Sequence, residues 1–134
     1  MELTKTDKNL IKKIAKKYDL NFLVLFGSHA IGKTHKQSDV DIAYSSKKEL
    51  DYREEYYLGC ELLCPLHLNP KVRVDLVNLD EASPLLAKEI AFSGELLAEI
   101  APHSFVRFQM YAFKLFIESK PLFILKHKFI TQNL

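Results

Sequence analysis

The chain has 134 residues, of which 48% are hydrophobic and 27% charged, and these are the proportions of one ordinary globular domain. A formal net charge of +2 is too small to indicate a nucleic-acid binder, so nucleic acid is not expected as a direct substrate. No apolar run approaches the ~18 residues that cross a bilayer, and the charged N-terminus lacks the apolar stretch of a signal peptide, so we expect a cytoplasmic protein without a membrane partner.

The first part of the chain predicts one helix and two strands. Thr4 or Thr6 can cap a helix, because apolar side chains recur at helical spacing over residues 10–18. The apolar run at 22–27 predicts a buried strand, and residues 39–44 predict a second strand. The helix is expected to pack its apolar face on the sheet that these strands form.

The rest of the chain alternates helices with strands. The predicted elements are a helix over 49–64 after a Ser45-Ser46 cap, a strand over 71–78, a helix from Ser83-Pro84 to about Gly94, an edge strand over 95–100 and a helix from 105 to about 119. Pro102 and Pro121 bracket the last helix. The predicted fold class is α/β (α+β), with a small mixed sheet flanked by helices.

Two further features of these helices are expected to be structural. Cys60 and Cys64 are interpreted as two small buried residues with no metal or redox role. The last helix carries a cluster of aromatic side chains, for which burial in the core is favoured over the alternative of contact with a protein partner: Phe105, Phe108, Tyr111, Phe113 and Phe116.

The segment between the first two strands gives the strongest indication of function. Gly27-Ser28 follows the first strand directly and leaves the backbone open to close approach by an anion, for which phosphate is the natural ligand. After ten further residues come Asp39 and Asp41, two apart at the start of the second strand. Strand alternation turns both carboxylates to one face.

A third carboxylate lies on the next predicted strand. Asp75 occupies the middle of the β-rich stretch 71–79, and we expect it to meet the two earlier acids. Carboxylate oxygens suit Mg²⁺, which completes its shell with water and substrate phosphate oxygens, so the pattern predicts a nucleoside triphosphate substrate. The alternative interpretation makes Asp75 only a salt-bridge partner of Arg73.

The order Gly-Ser, ten residues, then Asp-x-Asp is similar to the motif of the polymerase β-like nucleotidyltransferases, with Asp75 matching their third acid. Because so little follows this core, the chain resembles the minimal nucleotidyltransferases, in particular those encoded beside HEPN toxins. The resemblance covers about residues 4–118. It implies the polymerase β-like nucleotidyltransferase fold for residues 1–120 and leaves 121–134 as an apolar tail that covers the core or docks a partner.

The resemblance also implies an activity and its residues. An antitoxin of this family transfers AMP from ATP to tyrosine hydroxyls of its cognate HEPN ribonuclease toxin and releases pyrophosphate. By the same resemblance Asp39, Asp41 and Asp75 are catalytic and hold Mg²⁺, with two ions expected. Gly27 and Ser28, which match the motif, are expected to hold the phosphates of ATP. Lys33 and Ser38 are further candidates for ATP binding that the motif does not include, and a solvated loop lysine is the favoured interpretation of Lys33.

Two other functions are compatible with the sequence. The same chemistry could act on a small molecule such as an aminoglycoside or on a nucleic-acid end, although enzymes of those kinds generally carry a further domain for the acceptor. The chain could also be an antitoxin without catalysis that neutralises its toxin by occlusion. Intact acids favour catalysis over this last alternative.

Overall fold

A computed structural model describes residues 2–27 and 39–132, and the predicted site residues Ser28, Lys33 and Ser38 lie outside these ranges. Its elements in chain order are α1 (Lys5–Lys17), β1 (Leu20–Phe26), β2 (Val40–Ser46), α2 (Tyr52–Leu62), β3 (Val74–Asn78), α3 (Pro84–Ser93), β4 (Glu95–Glu99) and α4 (Ser104–Gln132). Each helix and strand predicted from the sequence has a counterpart among them.

Four strands form one mixed sheet in the order β3-β2-β1-β4. Strand β1 pairs antiparallel with both β2 and β4, whereas β2 and β3 are parallel and are connected through α2. The predicted mixed sheet is confirmed, and β4 lies at one edge of it, as predicted. Strand β3 forms the other edge among the described residues.

The two faces of the sheet bury different helices. One face packs on α1 and α2 through a large apolar cluster that includes Ile11, Ile14, Leu25, Val40, Ile42, Tyr44, Leu58 and Leu62. The opposite face packs on α3 and α4 through a smaller cluster that includes Phe22, Val24, Phe26, Ala43, Ile90, Phe105 and Phe108. Alternate residues of β1 and β2 contribute to the two clusters, as the period of a strand requires.

Helix α1 begins where the sequence predicts. The Thr4 hydroxyl accepts the Asp7 N–H at 3.1 Å, and the Asp7 carboxylate accepts the Thr4 N–H at 3.0 Å, which is a reciprocal capping box. Helix α3 also starts as predicted, because Ser83 caps it and accepts the Leu86 N–H at 3.2 Å. Local sequence therefore sets both helix starts.

Helix α2 is shorter than predicted. Strand β2 continues to Ser46, so the predicted Ser45-Ser46 cap is wrong, and Asp51 caps the helix instead by accepting the Glu54 N–H at 2.7 Å. The prediction of buried cysteines is also wrong, because Cys60 and Cys64 are both exposed. The side of α2 that meets the sheet is occupied by larger apolar side chains such as Leu58.

The aromatic cluster of α4 is only partly core. Phe105 and Phe108 pack against Phe22, with ring centroids 5.3 and 5.7 Å away. Tyr111 and Phe113 are more than half exposed, at 60% and 54%. The favoured core interpretation therefore holds for the residues of one helix face and fails for those of another.

The prediction that the last helix ends near Ser119 is wrong, because α4 continues through Pro121 to Gln132. A proline removes one backbone donor, whose lost partner is the carbonyl four residues earlier, and Ile117 at that position is half exposed, so water can replace the bond. Residues 124–132 are exposed and do not cover the core. In the part of the chain that is described, α4 included, no helix is long and apolar enough to span a membrane.

Candidate active site

The candidate site begins at the end of β1, where the chain turns at Gly27. This glycine has a φ of +75°, a conformation that side chains with a Cβ rarely adopt. A Cβ built on it would lie 2.5 Å from Asp41 Oδ2, closer than any non-bonded carbon can approach. Phe26 and Asp41 are partners in the antiparallel register, which explains why the glycine lies against that carboxylate. Only glycine fits there.

Asp41 and Asp75 occupy matching positions on neighbouring strands. They are register partners in the parallel pair of β2 and β3. Both alternate with residues that face α2, so their side chains leave the same face of the sheet from strands about 4.8 Å apart. The prediction that these two carboxylates share a face is therefore confirmed.

Asp39 lies one residue before β2 and is exposed. The next residue, Val40, is fully buried on the α2 side of the sheet, and its N–H donates to the Arg73 carbonyl at 2.9 Å. This bond attaches the start of β2 to β3. Strand alternation places Asp39 on the side opposite Val40, which is the side of Asp41.

Asp75 has a cationic neighbour on its own strand. The Arg73 guanidinium Nε lies 2.8 Å from Asp75 Oδ1, with 77% of the arginine side chain and 35% of the aspartate side chain exposed. An ion pair this exposed contributes at most about 1 kcal/mol to folding. The salt bridge that the alternative interpretation predicts is therefore present, but it holds the carboxylate only weakly and leaves it open to a ligand.

Carboxylates are ligands that suit Mg²⁺, but Asp39, Asp41 and Asp75 do not form one three-residue site. Within residues 2–27 and 39–132, no group of three His, Cys, Asp or Glu side chains is close enough to hold a metal ion. Register places Asp41 and Asp75 side by side on β2 and β3, and Asp39 lies just before β2. One or two carboxylates is the number by which proteins usually hold Mg²⁺, the rest of its shell being water and phosphate.

A cavity that has Asp75 in its lining was not predicted from the sequence. It has a volume of about 520 Å³ and lies between α2 and the edge strand β3. Its lining includes Tyr52, Tyr56, Gly59, Arg73 and Asp75. The signal that could have indicated it is the pair of tyrosines four residues apart on α2, which one face of a helix presents together.

A family model of polymerase β nucleotidyltransferases matches residues 8–103, a stretch that contains Gly27 and all three candidate acids. A curated relative, the protein adenylyltransferase MntA of Shewanella oneidensis, is 35% identical over 78 residues, which are 58% of this chain and 53% of the relative. The matched part of the chain thus spans about half the length of that relative.

Solved structures give the same assignment of fold. The crystal structure of a toxin-antitoxin with AMP-PNP aligns with a TM-score of 0.69 and 25% identity, over 91% of this chain and 98% of that chain. A tri-AMPylated Shewanella oneidensis HEPN toxin in complex with MNT antitoxin aligns with a TM-score of 0.63 and 24% identity, over 96% of both chains. The mixed sheet and its flanking helices are therefore those of these solved proteins.

Proposed function

Because this chain belongs to the polymerase β nucleotidyltransferase family, we propose that it is a Mg²⁺-dependent protein adenylyltransferase that uses ATP. The observation that carries the proposal is the placement of Gly27 against Asp41, with Asp75 as the register partner of Asp41. A carboxylate pair beside a bare backbone turn is what a bound triphosphate with its cation requires.

The residues of the site have distinct tasks in this proposal. Asp39, Asp41 and Asp75 would hold two Mg²⁺ ions, which would neutralise charge on the triphosphate and on the departing pyrophosphate. The Gly27-Ser28 turn, with Lys33 and Ser38, holds the phosphates through backbone and side-chain donors. Asp75 also receives the proton of the acceptor hydroxyl, for which its partial exposure leaves room.

The reaction joins AMP to a tyrosine hydroxyl. The phenolic oxygen attacks the α-phosphorus of ATP, the bond from that phosphorus to the oxygen bridging the β-phosphate breaks, and pyrophosphate leaves. The acceptor we propose is a HEPN toxin encoded by the adjacent gene, acting in the same cytoplasm. Support comes from the curated relative, which is named a protein adenylyltransferase, and from a structural neighbour that contains an AMPylated HEPN toxin.

The surface that we assign to the toxin is the part of α4 that the chain itself leaves uncovered. Val106, Met110 and Ile117 are 48%, 69% and 49% exposed, and Leu125 and Phe129 beyond Pro121 are 65% and 66% exposed. Exposed apolar side chains along one long helix are typical of a surface that a protein partner buries. This assignment makes the apolar tail a docking element.

Labelled ATP tests the proposal directly. The purified chain, incubated with MgCl₂, ATP labelled in its α-phosphate and the product of the adjacent gene, is expected to label that product on tyrosine. Asp41→Asn and Asp75→Asn should each abolish labelling, because each removes a cation ligand. Asp80→Asn, which changes an exposed carboxylate just after β3, is the matched control and should keep full activity. Equal labelling by all variants would overturn the proposal.

A further inference from the structure

The cavity between α2 and β3 contains potential acceptors of the reaction within the chain itself. Tyr52 and Tyr56 are 90% and 66% exposed, and both line this cavity together with Asp75. Their phenolic hydroxyls are the same functional group as the acceptor proposed above. The catalytic carboxylate and a tyrosine nucleophile thus share one open cavity in a single chain.

Tyr56 is the closer of the two tyrosines to Asp75 along the helix. Helix α2 meets β3 at Gly59, where an added Cβ would lie 3.5 Å from the Val74 Cβ. Val74 directly precedes Asp75. Tyr56 is three residues before Gly59, or about 4.5 Å along the helix axis, whereas Tyr52 is about 10 Å away. The contact of α2 with β3 therefore places Tyr56 near the strand that carries the candidate base.

The position of β3 at the edge of the sheet makes this approach possible. Asp75 leaves the sheet on the face opposite α2, as its register with Asp41 shows. Strand β3 has no further strand beside it among the described residues, and the cavity at this edge is lined by Arg73 and Asp75 as well as by the tyrosines of α2. An acceptor side chain can therefore approach Asp75 from this edge.

The hydroxyl of Tyr56 needs a base to become a nucleophile. A hydrogen bond with the Cys60 thiol raises the pKa of Tyr56 above its usual range. Two carboxylates, Glu55 and Asp75, line the same cavity. We assign the proton to Asp75, because it belongs to the candidate site. An acceptor tethered in the same chain also has a high effective concentration, which favours the reaction without any partner.

We infer that Tyr56 is a second acceptor of the proposed reaction, so that the enzyme attaches AMP to itself; this inference rests on the proposed function. The Tyr56 oxygen bonds to the α-phosphorus of ATP, pyrophosphate leaves with the bridging oxygen, and the phenolic proton passes to Asp75. The bulky nucleotide then occupies the cavity at the edge of β3. Self-modification would thereby restrict access of other acceptors to the acids.

Intact-protein mass spectrometry after incubation with ATP and MgCl₂ alone tests this inference. We expect the mass of one AMP to be added, with peptide sequencing placing it on Tyr56. Tyr56→Phe should remove the modification. Tyr57→Phe is the matched control, because Tyr57 is 52% exposed on the same helix but, within the described part of the chain, is not among the residues that line the cavity.

A mixing experiment separates reaction within one chain from reaction between chains. The double variant Asp39→Asn/Asp41→Asn, which keeps Tyr56, is mixed with active Tyr56→Phe protein, and we expect no AMP on the inactive chain. AMP on the inactive chain, AMP on Tyr57 in place of Tyr56, or an unmodified chain that still labels the adjacent gene product would overturn the inference and leave the proposed function standing. Absence of both kinds of labelling would overturn the proposed function itself.

Discussion

Gly27 lies so close to Asp41 that the Asp41 carboxylate can occupy its position only because residue 27 has no side chain. A Cβ at position 27 would lie 2.5 Å from Asp41 Oδ2, and the φ of +75° at Gly27 disfavours any other residue independently of that contact. Strand pairing sets this proximity, because Phe26 is the register partner of Asp41. The turn to which we assign phosphate binding and the carboxylate to which we assign cation binding are therefore built as one unit.

Gly27→Ala is expected to reduce adenylyl transfer strongly, because the new methyl group must push the Asp41 carboxylate out of place. The left-handed backbone adds a cost of about 1 kcal/mol, which corresponds to a melting temperature lower by about 4 °C. The measurements are the rate of AMP transfer and thermal unfolding by circular dichroism. Unchanged transfer in Gly27→Ala would show that the position of Asp41 does not matter for the reaction.

Two other glycines provide matched controls for that variant. Gly94→Ala should destabilise the fold, because its Cβ would lie 2.4 Å from both the Ile90 carbonyl oxygen and Val24 Cγ1, yet the folded fraction should keep its transfer rate. Gly59→Ala should raise the free energy of unfolding by about 0.5 to 1 kcal/mol, since its Cβ meets Val74 at an ordinary 3.5 Å inside a helix. Urea unfolding of both variants checks these opposite signs.

The capping box of α1 predicts an acid-sensitive contribution to stability. The His67 ring nitrogen lies 2.9 Å from Asp7 Oδ2, and this hydrogen bond, with that from the Thr4 N–H, lowers the pKa of Asp7 below its usual range. A depressed pKa in the folded state stabilises the protein above the ordinary carboxyl pKa, and this stabilisation is lost as pH falls through the lowered value.

Urea unfolding at a series of pH values between about 6 and 2 measures that contribution. The native chain should lose stability over this range more steeply than Asp7→Asn, which has no carboxylate to protonate. Asp80→Asn removes an exposed carboxylate whose side chain caps no helix. The stability of this variant should therefore change with pH as that of the native chain does. Identical pH profiles for the native chain and Asp7→Asn would contradict the assigned role of this carboxylate.

Removal of the chain after Lys120 should separate folding from partner binding. Residues 124–132 are exposed, so the truncated chain should melt within about 2 °C of the full chain. Binding to the adjacent gene product, measured by isothermal titration calorimetry, should weaken strongly. Leu125→Ser should weaken binding in the full-length chain, while Thr131→Ser on the same helix should not. A large drop in melting temperature would show instead that the tail supports the core.

Neutralisation by AMP transfer and neutralisation by occlusion predict opposite results in cells for a variant without the candidate acids. The triple variant Asp39→Asn/Asp41→Asn/Asp75→Asn keeps the exposed surface of α4 but loses every candidate cation ligand. If the chain is an antitoxin that acts by AMP transfer, cells that express this variant with the product of the adjacent gene should stop growing, whereas Asp80→Asn should protect them. Full protection by the triple variant would favour neutralisation by occlusion.

The sequence predicted the site well where short-range periodicity decides. Strand alternation was enough to place Asp41 and Asp75 on one face, and the family match to residues 8–103 confirms the predicted resemblance. The approach of Gly27 to Asp41 depends on the register of β1 with β2, which no local pattern specifies. The roles of Ser28, Lys33 and Ser38 remain predictions.

Features that depend on tertiary packing were predicted less well from the sequence. Pro121 ordinarily indicates the end of a helix, but α4 is exposed at this point and water can replace the lost bond, so the helix continues. Cysteine is a residue type that is often buried, yet Cys60 is exposed on α2 and lines the cavity at β3. That cavity lies between elements distant in sequence, so periodicity alone could not indicate it.

The position of a bound cation tests the central claim most directly. Crystals grown with MnCl₂ and a non-hydrolysable ATP analogue give an anomalous signal from manganese, which replaces magnesium at oxygen ligands. We expect this signal to lie against the carboxylates of Asp41 and Asp75, with the triphosphate at the turn of Gly27. A nucleotide bound elsewhere, or manganese without contact to either aspartate, would contradict it.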